Sequence, residues 1–451
     1  MLREFIFNFR IFLFKKISLW ILILIILFST IVTVWFGYLV TKSNTALNIA
    51  LIPKTLKVLI ENKNPVEVHN KFKNKNKFEI YNIPKNEYYL LLSRYDGDKK
   101  KSVVELIDIN SQKLVHSWNP NIKKIIETSK LSKERFGRHN VERYRIKHPF
   151  LTKNGDLVFH GGWTGSALAK VDVCSNISWI IDYPFHHSIE MDHKNNLWVP
   201  MSFHPQKVTA GLDERDGTKR NFFMDDGIMN ISLDGKILFS KSVMQILIEN
   251  NLKHLIFPGE ESYDPIHLND IQPVLDNGPY YKKGDLFLSF KSNSIILLYR
   301  PETNKVIWLK KNPWVYQHDV DILSDKKISI FNNKNLFRPL RIISKPDHER
   351  YSNLMIYDFE KNKITETYDV AFEKFKISTF SEGLAEIIDE DIFVSETIHG
   401  RLIMFNNKNE LLWEYYNTDK NGKMYYLNWS RVFKKNNLKE AIENITKRKC
   451  D

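Results

Sequence analysis

Residues Ile295 to Trp308 read IILLYRPETNKVIW: an apolar run, a polar turn built on Pro301, Glu302, Thr303 and Asn304, and a second run ending in tryptophan. Apolar positions flanking a short polar turn describe a β-hairpin. Five other stretches share the form: Val103 to Trp118 (VVELIDINSQKLVHSW), Leu168 to Ile181 (LAKVDVCSNISWII), Ile228 to Ser240 (IMNISLDGKILFS), Leu354 to Tyr368 (LMIYDFEKNKITETY) and Arg401 to Tyr415 (RLIMFNNKNELLWEY). Each alternates apolar and polar residues as half-buried antiparallel strands do. Shorter strands precede them after polar turns, at Leu157, Leu197, Leu286, Ile328 and Ile392, with Tyr88 to Ser93 (YYLLLS) opening the series. Four-stranded units recurring every ~40 to 50 residues with little helix are the pattern of a propeller. The fold expected is all-β, a six-bladed β-propeller over residues 78–433.

Two insertions interrupt the repeat, Ile122 to Arg145 and Val243 to Pro258, and both have helical periodicity; Leu247, Ile248, Leu252 and Leu255 fall near one face. They are expected to cover the rim or the site. Asn436 to Lys449 reads as a short amphipathic helix in a solvated tail, 434–451.

Upstream of the repeats, no charged residue occurs from Ile17 to Thr41. That length spans the ~30 Å hydrocarbon layer as a helix. Arg3, Arg10, Lys15 and Lys16, opposed by Glu4, precede it, so the positive-inside rule keeps residues 1–16 in the cytoplasm and sends the body outward. The apolar core is longer than a signal-peptide h-region and lacks a clear small-residue cleavage site, which favours an uncleaved anchor at 17–41. A polar, lysine- and asparagine-rich linker fills 42–77. A single-pass bacterial inner-membrane protein with a periplasmic propeller is the resulting expectation.

The chain has 451 residues, 43% of them hydrophobic, and a net charge of +13. The excess of lysine is dispersed among Asn and Ile rather than gathered in a stripe, so nucleic acid is not an expected partner. Cys174 and Cys450 are the only cysteines. They provide no disulfide framework and no CxxC metal or redox motif, and packing alone is expected to hold the domain.

Three histidines open units at what reads as one repeat position: His187 in FHHSIEMD, His267 in DPIHLNDIQP and His318 in YQHDVDIL. In a propeller the innermost strands line a shared channel, so such positions converge. Any one histidine alone reads as a strand cap; three in register point to a site. Strand alternation lets only one of His186 and His187 face the channel. Gln317 and Asp319 should point away from the His318 face, and Glu382 and Arg431 read as solvated or structural. A His₃ zinc site is the competing chemistry, weakened by the absence of HxH or HExxH.

The motifs HHSIEMD, IHLND and QHDVDIL, with the blade SFKSNSIILLYRPETNKVIW, resemble the arylsulfate sulfotransferases, six-bladed propellers of bacterial envelopes that move a sulfuryl group between phenols without a nucleotide donor. The resemblance runs from about Phe78 to Phe433. It implies that His318 is a nucleophile forming a sulfohistidine, that His187 and His267 hold sulfate and handle the phenolic proton, and that Asn269 contacts sulfate. It implies His187, rather than His186, as the channel residue, leaving His186 as a further substrate-binding candidate. Lys291 stands where the family usually has arginine, exchanging a planar fork for a point charge. An aryl sulfate and a phenol would be the partners, with no cofactor and no metal. A neutral imidazole suits the role, being a good nucleophile at neutral pH and a good leaving group once sulfated. The other readings are a non-catalytic envelope propeller serving binding or assembly, and a quinoprotein dehydrogenase, which would bring more blades, tryptophan-docking repeats and adjacent cysteines.

Overall fold

The computed structural model describes residues 19–42, 66–68, 71–72, 75–131, 141–161, 165–204, 206–207, 223–256, 264–334 and 351–450. The basic residues up to Lys16, most of the linker and the centre of the first insertion lie outside them. The chain divides into two units, Met1–Asn64 and Pro65–Asp451. In the first, Leu19–Lys42 is one helix, and Trp20–Leu39 within it is long and apolar enough to cross a membrane, none of that stretch being buried by protein.

The second unit is a ring of antiparallel meanders. Strand pairing gives Tyr88–Asp96, Lys101–Asp108 and Lys113–Trp118 with the late strand Arg431–Lys434 as one four-stranded sheet. Leu268–Pro273 to Lys305–Lys311 forms another, and Asp319–Ile322 to Lys363–Thr367 a third. The last meander, Leu384–Ile388 to Leu411–Tyr416, gains a fifth strand, Phe78–Ile80. Both ends of the repeat region therefore close the ring, Phe78–Ile80 on the outside of the last unit and Arg431–Lys434 on the inside of the first.

Six separate blades were expected, and hydrogen bonding gives five sheets. Ile146–Leu151 to Ile177–Phe185 and Glu190–Met191 to Ile237–Ser242 merge through the pair Met201 and Phe185. The six hairpins nevertheless each fall within one four-stranded repeat, and an apolar cluster fills each of the six junctions between successive repeats.

The period of two explains why the quoted hairpin is so apolar. Ile295, Leu297 and Tyr299 enter the cluster toward the preceding repeat, whereas Ile296 and Leu298 enter the cluster toward the following one. The third strand is buried on both faces; polar alternation survives only on the outer strand Lys305–Lys311. The half-buried strand expected throughout is thus confined to the rim.

Both insertions contain helix, Ile122–Thr128 and Val243–Glu249, capped by Asn121 and Ser242 side chains that accept from Lys124 and Gln245 backbone N–H groups. Met244, Ile246 and Leu247 are buried in the cluster between the third and fourth repeats, so this helix plugs a junction rather than covering the site. Two further expectations are corrected at the C-terminus. Lys439–Lys447 is helical, but it docks: Ala441 and Ile445 are buried against Leu157 and Val173. Cys450 and Cys174 form a disulfide that pins this tail to the second repeat.

Candidate active site

The inner strands are entered through a conformation that the sequence does not announce. Among the described non-glycine residues with positive φ are His187 (59°), His267 (50°), Tyr316 (57°), Glu382 (60°) and Trp429 (63°), each just before its repeat's inner strand, and His148 (44°), at a register break inside the strand Ile146–Leu151 of the second repeat. A side chain in this left-handed region costs ~1–2 kcal/mol, and such strain gathers where a site over-determines the backbone. The bracing is visible. His160 donates from Nε2 to the His187 carbonyl at 2.7 Å, and the Lys291 N–H donates to the His267 carbonyl at 3.2 Å.

His187, His267 and His318 do converge, with ring centroids 5.1 Å apart for His187 and His267 and 6.5 Å for His318 from each. Their repeat positions, however, differ. Tyr316, not His318, occupies the left-handed position in the fifth repeat. Three residues beyond His267 is Asp270, and three beyond Tyr316 is Asp319. Asp270 accepts from the backbone N–H of Val320, and Asp319 from that of Ala385, each tying its strand to the next repeat. By this register His318 is level with Asn269. The strings NDI and HDV, at Asn269 and His318, were the signal in the sequence.

His186 and His187 both reach the site, because positive φ at His187 breaks the alternation that would have separated them. Their Nδ1 atoms lie 2.8 Å apart, so one ring donates to the other, and His186 Nε2 lies 3.3 Å from the Asp226 carboxylate. Asp226 also accepts the Leu268 N–H at 2.7 Å.

The hydrogen bonds of His318 define its tautomer. The Asn333 amide nitrogen donates to the carbonyls of Thr379 and Glu382 at 3.0 and 2.9 Å, so its oxygen is the acceptor facing His318 Nδ1 at 2.7 Å. Nδ1 therefore carries the proton, which also approaches the Tyr316 carbonyl, and the lone pair is on Nε2. The Glu382 N–H donates to that lone pair at 3.1 Å. Burial holds His318 well below the usual imidazole range, reinforced by Lys291 and His267 and opposed by Asn333. Burial, then His186 and His267, does the same to His187. Both rings are neutral near pH 7.

Lys291 is buried, with its ammonium 3.1 Å from His267 Nε2, while His267 Nδ1 bonds Asp264. Burial lowers His267, Asp264 opposes this, and Lys291 adds to it. A neutral ring bridging the ammonium and the carboxylate satisfies all three. Asn269 donates to the Gln317 carbonyl at 2.6 Å, and its own buried amide oxygen has no hydrogen-bond partner among the described residues. Gln317 points away from the His318 ring into the preceding blade and donates to the Phe290 and Ile295 carbonyls there.

A second cationic group was missed from sequence. Arg145, fully buried, donates to both Glu382 carboxylate oxygens, at 3.3 and 3.0 Å, and to Asn428 and the Leu427 carbonyl. Lys147 lies 3.7 Å from the same carboxylate and 5.2 Å from the Trp429 ring centroid. Burial pushes Lys147 down to about 8, against the pull of Glu382. Burial alone would raise the Glu382 carboxyl, but Arg145 and Lys147 hold it below the usual range. Glu382 is thus part of the site's scaffold. Arg431 is structural, donating to Glu190 at 2.7 Å and to the Ile189 carbonyl at 2.8 Å. Among the described residues no three His, Cys, Asp or Glu side chains are placed to hold a metal.

Fold and site together define a propeller whose inner strands gather His186, His187, His267 and His318 beside the buried Lys291. Residues 151–418 match the family model for arylsulfotransferases, and the chain belongs to that family of transferases. No curated protein matches it. Solved structures similar to it include a Bacteroides caccae protein of unknown function (10% identity, 78% of this chain and 100% of that one, TM-score 0.45) and a catalytically inactive virginiamycin B lyase from Staphylococcus aureus with quinupristin (12%, 75% and 88%, 0.38). Apo AztD from Citrobacter koseri is another (9%, 77% and 99%, 0.35). Likenesses at this level say nothing about chemistry.

Proposed function

We propose that the protein transfers a sulfuryl group from an aryl sulfate ester to a phenol through a sulfohistidine at His318, without a nucleotide donor. The observation that carries this reading is the His318 imidazole: neutral, locked with its lone pair on Nε2, and within 6.5 Å of both His187 and His267. Attack by that lone pair on sulfur forms the N–S bond and breaks the S–O(aryl) bond, whose electron pair leaves on the phenolate oxygen. The phenolate takes up a proton. An acceptor phenol then gives up its own proton as its oxygen attacks sulfur, the N–S pair returning to Nε2. The Lys291 ammonium, bonded to His267, is placed to supply the proton that the leaving phenolate takes up and to recover one from the acceptor phenol. Developing charge on the sulfuryl oxygens is met by the Lys291 ammonium. Where the family usually has arginine, the bond to His267 aims a single lysine charge.

The catalytic domain is 78–433, and the tail helix and disulfide support an addition to it. The apolar helix and the disulfide, which persists in oxidising compartments, support an inner-membrane anchor with the propeller in the periplasm. His318→Asn should abolish transfer between aryl sulfate and phenol in nucleotide-free buffer, together with the sulfo-adduct on the peptide carrying residue 318. Full transfer by that variant would sink the mechanism. Folded wild-type protein that turns over no aryl sulfate yet binds an envelope fraction would favour a binding module instead.

A further inference from the structure

The Nε2 lone pair of His318 is already occupied. It accepts the Glu382 backbone N–H at 3.1 Å, and Glu382 is itself held at both its carboxylate and its carbonyl. Arg145 and Lys147 hold its carboxylate, Asn333 holds its carbonyl, and its φ of 60° runs into Gly383 at 93°. An added Cβ at Gly383 would lie 2.9 Å from the Phe331 ring and 3.0 Å from the Ser395 carbonyl, so close packing as well as φ requires glycine there. Asn333 thus grips the imidazole with its oxygen and the Glu382 peptide with its nitrogen, fixing donor and lone pair in one frame.

One lone pair cannot both accept a hydrogen bond and bond to sulfur. The amide must let go as the N–S bond forms, and the released N–H then stands beside the sulfuryl oxygens. We propose that the Glu382 main-chain N–H is a catalytic donor that caps Nε2 in the empty site and passes to a sulfuryl oxygen during transfer, with Arg145, Lys147 and Asn333 as its positioning residues. This rests on His318 as nucleophile. No further co-reactant is required, because the N–H changes acceptor without losing its proton. Glu382 contributes through its backbone, and its carboxylate serves only as the handle by which two buried cations hold the peptide.

The test is a backbone ester at position 382, which replaces the N–H by oxygen and keeps the side chain, compared with Glu382→Gln and His318→Asn. Loss of one such donor costs ~10²–10³ in rate, so the ester variant should form the sulfo-enzyme about a hundredfold more slowly with donor KM within about threefold. Its His318 should react faster with an imidazole-acylating reagent, since the cap is gone. A merely structural contact would not slow transfer while speeding acylation. Glu382→Gln keeps the N–H but weakens the handle; kcat should fall ~10-fold, the usual scale of lost positioning, with donor KM little changed. Unchanged kcat in the ester variant, with His318→Asn inactive, overturns the amide's role alone; unchanged kcat in Glu382→Gln overturns the carboxylate as its handle. Activity in His318→Asn overturns both readings.

Discussion

Replacing Asn333 with aspartate puts a carboxylate where a neutral amide oxygen now accepts at 2.7 Å from His318 Nδ1. The side chain keeps its shape and its acceptor, so the tautomer survives, but the charge is new. An opposite charge at this range stabilises the imidazolium and raises a buried pKa by ~1–3 units. His318 now sits well below the ordinary imidazole value because of burial, Lys291 and His267. The acid limb of kcat/KM, below which Nε2 is protonated and cannot attack, should therefore move toward neutrality by ~1–3 units, each unit costing about tenfold in activity on that limb. The aspartate cannot donate to the Thr379 and Glu382 carbonyls, which adds a stability loss of about 1–3 kcal/mol. The assay is initial rate with a chromogenic aryl sulfate and excess phenol across the acid and neutral range, alongside thermal melting to show that the variant is folded. An acid limb that stays in place in folded Asn333→Asp would refute the tautomer argument and, with it, His318 as the attacking group.

Reduction, or Cys450→Ser, should lower the melting temperature by about 3–6 °C; losing a native disulfide costs ~2–5 kcal/mol and the unfolding entropy of a domain this size sets the conversion. The bond joins residues 276 apart and holds the docked tail, so identical melting of reduced and oxidised protein would show that the helix contacts suffice. Beneath the site, burial first and then Glu190 pushes Asp321 up to about 7, while burial and then Asp321 pushes Glu386 up to about 8. The folded state keeps protons that the unfolded chain has released, so their contribution lowers stability as pH rises from the carboxylate range to about 8. Glu386→Gln should flatten melting temperature against pH above about 7, where the depressed histidines no longer contribute; an unchanged slope would show that the cluster does not titrate there.

The hairpin at Ile295 to Trp308 and its five counterparts were legible because antiparallel strands write their period and turns locally. The apolar helix at Leu19–Lys42 and the helices at Ile122–Thr128, Val243–Glu249 and Lys439–Lys447 were legible for the same reason. The three histidines could be picked out, since ring closure makes unit entries converge. Their register could not. The left-handed residue at or just inside each entry resets which side chain points inward, and it is a histidine, tyrosine, glutamate or tryptophan rather than a telltale glycine.

Arg145, Lys147, Asn333 and Glu382 were invisible as a group because they come from the second, fifth and sixth repeats and meet only across the channel. Two cysteines 276 residues apart likewise gave no hint of pairing until the tail helix docked. Local alternation, turn chemistry and apolar length, all short-range properties, determined strands, repeats and the apolar N-terminal helix from the sequence alone. Which imidazole nitrogen carries a lone pair, and what stands against it, was decided by the tertiary structure, because those depend on hydrogen bonds among residues brought together only when the ring closes.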